Sequence, residues 1–472
     1  MHGQHDGANR ALRGLLAEAG WGGADLVRAV NAAGREVGAE LRYQRSSAAQ
    51  WLAGVQPRPP APDLIVEVLG RRLGRLIVPA EAGLRGSGRS GSGTARARHA
   101  PSAFEWQQSA EFALAQGADG AGSGGVFVAR ELDVPWFGQS AFAAPGGDEL
   151  EVGRERERRR TLTRQDVLGA ESVLDAYSRS DHAFGGGHSR HALAQHLSRT
   201  ISPLLGVPAP ACVRRDLLVV AAKMAYLCGF MHFDDTLNST AQQYYRISLR
   251  LADEADDRVG YATALRGLSV QAEFLGHHAL GAQLAQAAID VGWHAAPVPV
   301  RAFLSGQLAV ATAAIGEHVA SLGHFRRTER LLDRASSNTD AVGAFHEASL
   351  EYQYATLAMY QGAPMVAIDA FKRSLRARPD DERRSRALTL ARTAELFLDC
   401  GHLESACEQW HRFLDDYPGL ASRRVDEALG TMRARLMPFS RNAVVAALIH
   451  RAVETQNIQS VRPTQPFQSS AS

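Results

Sequence analysis

Two stretches near the C-terminal end, Gly362 to Pro379 (GAPMVAIDAFKRSLRARP) and Gly401 to Pro418 (GHLESACEQWHRFLDDYP), align without a gap. Each opens on Gly, places Ala five residues on (Ala367, Ala406), a large aromatic nine on (Phe371, Trp410) and Pro seventeen on. That spacing constrains the fold. Gly supplies the tight turn between two antiparallel helices and Ala lets their backbones approach, while the aromatic fills the groove between them and Pro ends the second helix. Upstream, Gly323, Gly276 and Gly229 sit in similar settings, so that the steps between successive glycines are 47, 47, 39 and 39 residues. These steps exceed the roughly 34 residues of the commonest helix-pair repeat, which predicts a loose array.

From residue 205 onward the pattern is helical. Amphipathic runs bounded by Gly, Pro, Asp or Asn cover Arg215 to Phe230, Thr240 to Glu254, Tyr261 to Leu275, Leu280 to Val291, Arg301 to Leu322, Phe325 to Ala335, Ala341 to Tyr360, Val366 to Arg376, Ser385 to Leu398 and Leu403 to Asp415. The two aligned stretches resemble the second helix of tetratricopeptide (TPR) repeats. That resemblance implies an α-solenoid over residues 163–455, with a concave groove that takes an extended peptide or a partner helix. By position and polarity, Tyr226, Arg266, Gln307, Glu351, Tyr354 and Arg392 are the candidate groove residues. Beyond them, the tail 456–472 is expected to be disordered.

The charge is unevenly distributed. Residues 1–100 carry 14 Arg against 8 Asp plus Glu, a surplus of six positive charges, while the whole chain has a formal net charge of only +2. A basic head on a mildly acidic body suits a head that meets a polyanion. No stretch reaches the roughly 18 uninterrupted apolar residues of a membrane span, and the start has no export signal, so a cytoplasmic protein with no membrane partner is expected. Cys212, Cys228, Cys400 and Cys407 form no CxxC pair, which suits reduced thiols.

The head itself, residues 1–84, reads as short helices. Residues 9–19 and Ala24 to Ala33 are amphipathic; RSSAAQWLAGVQP gives a third helix capped by Ser46 or Ser47 and closed by Gly54 and Pro57; Ala61 to Leu73 gives a fourth, and Pro79 to Leu84 a short fifth. This arrangement resembles helix-turn-helix domains of the phage-repressor class. The resemblance implies that the start of the third helix enters the DNA major groove. Ser46, Ser47 and Gln50 would then read bases, Arg42, Arg45 and Arg58 would hold phosphates, and Trp51 and Leu52 would pack inward. A departure lies in the dozen or so residues from Ala33 to Arg45, where such domains have a turn of about three or four; the second helix extends through Gly34 to Val37, or the loop forms a wing.

Residues 85–125 are a Gly/Ser-rich tether, and Gly86, Gly88 and Gly91 match the letters of a dinucleotide-binding signature without its strand and helix. No Gly-Lys-Ser/Thr occurs anywhere, and no cofactor is expected. A connecting segment, 126–162, ends in the mixed-charge run Arg154 to Arg160. Next, His182, His188, His191 and His196 cluster around Gly185-Gly186-Gly187 beside Asp181. A metal site with hydrolytic chemistry is conceivable there, but HxxH without an accompanying Glu motif is a weak signal, and a glycine hinge packing the first helix pair is the plainer reading. Paired catalytic carboxylates, a nucleophile elbow and a phosphate-binding loop are all missing, so no enzyme and no catalytic or metal residue is predicted.

Taken together, the head, the tether, the stretch from Asp181 to Leu193 (DHAFGGGHSRHAL) and the TPR-like body resemble a family of actinobacterial, Streptomyces-type transcriptional regulators. Some members restrain sporulation and antibiotic production. The resemblance implies an all-α regulator that binds double-stranded DNA through its head, senses a peptide or protein effector through its body, and pairs as a homodimer. The alternatives are an interaction scaffold whose head does not read DNA and, more remotely, a metal-dependent enzyme built on His182 to His196.

Overall fold

The computed structural model describes residues 9–36, 41–58, 60–73, 77, 79, 81–84, 161–334 and 345–461. Expectations for the tether 85–125, for most of the segment 126–162 and for the tail beyond residue 461 lie outside these residues. Among the described residues there are only helices and their connections, so the protein is all-α.

Four helices form the head: α1 (Arg10–Ala19), α2 (Gly23–Glu36), α3 (Arg45–Leu52) and α4 (Ala61–Leu73). Apolar residues at helical spacing place Leu12 and Leu16 of α1, Leu26 and Val30 of α2, Trp51 of α3, and Leu64, Ile65 and Leu69 of α4 in one core. Asn9 closes it. Its Oδ1 accepts from the Leu12 amide at 3.0 Å, capping α1, while its Nδ2 donates to the Ala82 carbonyl at 2.9 Å and so ties the end of the head to its beginning. Where a fifth helix is expected, the described residues 79 and 81–84 hold no helix: 81–83 form a turn around Gly83, whose positive φ of 63° and contact with the Asn9 side chain leave no room for a Cβ.

The body begins with a hairpin, α5 (Arg164–Phe184) and α6 (Gly186–His196), which runs through a π-turn (Leu197–Ile201) into the short α7 (Ser202–Leu205). Six helix pairs follow, namely α8 (Ala211–Asp234) with α9 (Asn238–Glu254), α10 (Arg258–Phe274) with α11 (His278–Gly292), α12 (Val298–Ala314) with α13 (His318–Leu332), α14 (Glu347–Tyr360) with α15 (Pro364–Ala377), α16 (Arg383–Asp399) with α17 (Leu403–Asp416), and α18 (Arg423–Leu436) with α19 (Ala443–Val461). In α8, α10, α12 and α14 the first helices of successive pairs touch one another, which puts them on the inner side of a solenoid. α19 continues six residues past the expected end of the solenoid at 455.

The repeat register differs from the expected one upstream of Gly362. The left-handed turn residues are Thr236, Gly276, Gly316, Gly362 and Gly401, with φ of 58°, 84°, 84°, 70° and 80°, in steps of 40, 40, 46 and 39. Five residues on stand Ala241, Gly281, Ser321, Ala367 and Ala406, and nine on stand Tyr245, Ala285, Phe325, Phe371 and Trp410; all ten are buried. Gly229 and Gly323 therefore lie inside α8 and α13 rather than at turns, and the helix break expected at residues 323–324 falls at Gly316. A non-Gly residue, Thr236, makes the first turn, which hid it from a glycine search.

α8 is long and apolar enough to cross a membrane by length and composition, but 78% of that stretch is buried inside the protein. Its inward face packs against α9 and α6 through Leu217, Ala221, Met224 and Cys228.

Candidate nucleic-acid interface and effector groove

The chemistry of the head converges on α3. Gln44, rather than Ser46 or Ser47, is its N-cap, and the Gln44 amide donates to Ser47 Oγ at 3.3 Å while the Ser47 amide donates to the Gln44 carbonyl at 2.8 Å. Ser47 is thus tied to the cap and half-buried. Arg42, Arg45, Ser46 and Gln50 are exposed, as is Arg58 beyond the helix, whereas Ala48 and Trp51 on the opposite side enter the core.

The long α2 to α3 connection is shortened at its near end and pinned at its far end. α2 extends to Glu36, and the Asn31 side chain brackets the far end, donating from Nδ2 to the Tyr43 carbonyl at 2.9 Å and accepting on Oδ1 from the Tyr43 amide at 3.0 Å. The Tyr43 ring then meets Trp51 edge-on at 5.0 Å. Arg42 and α3 are held to a fixed frame by these contacts.

In the body, the six expected groove residues divide. Tyr226 and Gln307 do not line a groove, contrary to expectation. Tyr226 is 7% exposed within the core, and Gln307, 3% exposed, donates to Ser269 Oγ at 3.1 Å, so neither presents a surface. Glycines let the inner helices approach here, Gly267 against the Tyr226 ring and Gly306 against the Gln353 side chain. Glu351 accepts from Arg373 Nε at 2.8 Å, Tyr354 stacks on Phe325 at 5.0 Å, and exposed Arg392 pairs with Glu395 at 3.2 Å. Arg266 lies over the Phe303 ring at 3.8 Å.

Residues 181–190 join the beginning of the array to its end. The Ala421 amide donates to the Phe184 carbonyl at 2.6 Å, and the Gly187 amide donates to the Ala421 carbonyl at 2.8 Å. A Cβ on Gly185 would lie 2.6 Å from the Ala421 oxygen, and one on Gly186 would lie 2.5 Å from the Met231 oxygen, so the glycines are required by backbone-to-backbone contact. Around them, Arg384 of α16 reaches Asp181 at 3.2 Å and Asp234 at 3.3 Å, and the Gly186 amide donates to Asp234 Oδ2 at 3.1 Å. Arg190 donates to Asp235 at 2.5 Å, and Asp235 in turn accepts from the Arg423 amide at 3.2 Å.

All three central charges are buried. Burial pushes the Asp181 carboxyl up to about 6, with Arg384 pulling it down and Asp234 pushing it up. Beside them, Glu382 is held at about 2: burial raises it, but the His346 hydrogen bond at 2.7 Å and the Arg378 charge lower it further. His182 is lowered, first by burial and then by Arg384. His188 and His191 are exposed, and among the described residues no three His, Cys, Asp or Glu side chains are grouped to hold a metal. The histidine-rich stretch is thus occupied by the closure of the array. All four cysteines are free thiols.

A second long-range contact joins head to body. Glu67 of α4 and His277, at the α10 to α11 turn, meet at 2.7 Å with both side chains under one-tenth exposed. Arg71, one helical turn from Glu67, bonds the same carboxylate at 3.0 Å and lays its stem over Gly276. The head therefore rests on the body through α4 and leaves the α3 face outward. Sequence reasoning did not single out Glu67, His277, Arg384 or Ala421. One signal was available for Glu67, a carboxylate at an otherwise apolar position of an amphipathic helix.

Residues 12–85 match the family described as SP15 N-terminal domain, a match that covers the head. Comparison with curated proteins returned no match.

Proposed function

We propose that this protein is a cytoplasmic, DNA-binding transcriptional regulator whose helical body dimerises and receives a peptide or protein effector. The observation that carries the reading is the outward face of α3, where Arg45, Ser46 and Gln50 are exposed, with Arg42 exposed just before it, on a frame fixed by Asn31, Tyr43 and Trp51. Short polar side chains reach base edges in a major groove, and flanking arginines neutralise phosphate. The surplus of positive charge in residues 1–100 supports the same partner.

The Glu67–His277 contact gives the body a grip on the head, so that an effector can bias how α3 is presented. Two heads in a dimer would read two half-sites. The resemblance to regulators of development and antibiotic production suggests the class of target genes.

The test is genomic DNA pull-down with sequencing, comparing the intact protein with a variant in which Arg42, Arg45 and Gln50 are all alanine. Discrete sites that disappear in the variant are expected. Enrichment that is equal in both, or independent of salt, refutes the reading, since phosphate contacts release counterions. One observation favours a second reading, an interaction scaffold without sequence-specific binding: eight residues, 37–44, separate α2 from α3, about twice the usual turn. The absence of discrete enriched sites with either protein would select it.

A further inference from the structure

Resting on that effector reading, we infer that the inner side of the array binds an extended acidic peptide segment, with Arg266 and Arg424 taking its carboxylates. Arg266 lies on α10 with its guanidinium 3.8 Å above the Phe303 ring, and its buried Nε has no hydrogen-bond partner. Arg424, in the first turn of α18, sits 4.9 Å from the ring centres of both Phe233 and Phe274, which meet edge-on at 5.2 Å.

Among the described residues, neither arginine has a carboxylate at ion-pair distance. Their neighbours do. Arg373 pairs with Glu351, Arg378 with Glu382, Arg384 with Asp181 and Asp234, Arg386 with Asp416, and Arg392 with Glu395. Glu273 feels the charge of Arg424 without reaching ion-pair distance and accepts its hydrogen bond from the Tyr360 hydroxyl. An arginine stacked on a ring keeps the edge of its fork for a planar anion, which is how guanidinium groups recognise carboxylates.

Both arginines act on one interior. The Tyr245 phenol, raised chiefly by burial and then by Tyr226, feels the charges of Arg266 and Arg424 together. Phe274, beneath Arg424, is 47% exposed, so solvent reaches this side. Arg424 lies over Phe274, eight residues along α10 from Arg266, which is about 12 Å at 1.5 Å per residue. An extended chain advancing about 3.3 Å per residue spans that distance with acidic side chains about four residues apart. Of the rings beneath the two arginines, Phe233 and Phe303 are buried, and Phe274 offers the exposed apolar contact beside Arg424. A compact anion would engage one arginine, whereas two separated cations with an exposed ring at one of them fit a peptide.

The experiment is fluorescence anisotropy of a fluorescein-labelled hexaglutamate peptide with the full chain, hexalysine serving as the control. Hexaglutamate should bind and hexalysine should not, with Arg266→Gln and Arg424→Gln each weakening affinity by roughly tenfold or more. Arg266→Lys and Arg424→Lys, which keep charge and stem, should lose less, and they report on the site if a Gln variant fails to fold. The triple alanine variant at Arg42, Arg45 and Gln50 should bind the peptide unchanged. The inference is overturned if hexaglutamate does not bind, if the head variant rather than the body variants loses it, or if inorganic phosphate binds as tightly and is lost in the same variants. Peptide binding is measured without DNA, so failure here and failure of the regulator reading are separate results.

Discussion

Replacing Arg384 by methionine tests whether the array is closed by its buried charges. Arg384, Asp181 and Asp234 are 3%, 2% and 0% exposed, and one cation serves both carboxylates. Methionine fills most of the arginine stem, so the change removes charge with little loss of volume. Breaking a buried ion pair from one side costs about 3–5 kcal/mol, because the partner is left uncompensated. Here two partners are left, and they repel each other. The cost depends on pH in a defined direction. The Asp181 carboxyl is raised to about 6 in the folded protein, against about 3.9 in an unfolded chain. The folded state therefore holds this proton more tightly, and the group's stabilising contribution is complete below about pH 4 and lost as pH rises through about 6. In the variant the pull of Arg384 is gone, so the carboxyl rises further and the window extends upward. Urea unfolding followed by circular dichroism should show a loss of about 3–5 kcal/mol near pH 8 and a smaller one near pH 5. Hydrogen exchange should quicken at the Gly187 and Ala421 amides, which bridge the closure. A loss under about 1 kcal/mol at both pH values, typical of an exposed pair, or a larger loss in acid, would refute the reasoning.

Other contacts make shorter predictions. Gly186→Ala, whose Cβ would lie 2.5 Å from the Met231 oxygen, should destabilise by about 1–3 kcal/mol, while Gly323→Ala, with nothing within 4 Å in mid-helix, should stabilise by about 0.5–1 kcal/mol. Thermal melting of the two variants would contradict the corrected repeat register if their order were reversed. His277→Leu leaves Glu67 buried without its partner on the body, so the head should detach; unchanged hydrogen-exchange protection on α4 would show that this contact does not hold it. Asn9→Ala removes the cap on Leu12 and the bond to Ala82, and a fall of about 1–2 kcal/mol in the stability of the head is expected from denaturant unfolding, whereas a change within a few tenths would mean the cap is dispensable.

Local chemistry was legible in the sequence where one residue type does one job. Gly362 and Gly401 had to adopt positive φ, and Ala367, Ala406, Phe371 and Trp410 had to fill the space behind those turns, so the last two units could be placed from spacing alone. The same rule fails upstream because other residues satisfy it: Thr236 makes the turn, Ser321 and Gly281 stand in for the small Ala, and Ala285 replaces the aromatic. Gly229 and Gly323 then acted as decoys. Gly229 is small because the Tyr245 ring lies where a Cβ would be, not because the chain turns there. The exposed side of α3 was legible for a similar reason, since Trp51 and Ala48 at helical spacing fix which side faces inward and leave Ser46 and Gln50 outward.

What periodicity cannot carry is closure across long sequence separations. Glu67 and His277 stand 210 residues apart, and Arg384 is more than 200 residues from Asp181. No spacing rule links residues whose meeting depends on the summed twist of every pair between them, and that twist follows from small side chains such as Gly267 and Gly306 at the contacts of the inner helices. The DHAFGGGH stretch drew attention through its histidines. Its constrained residues are instead Asp181 and the glycines, since His188 is exposed while a Cβ at Gly185, Gly186 or Gly187 would strike backbone atoms of residues 231 or 421. The closure also places Ala421 three residues from Arg424. A ligand held by Arg424, as inferred above, would therefore act on the chain within one helical turn of the hydrogen bonds that join the two ends of the array, and in reach of Phe274, two residues from the turn on which the head rests.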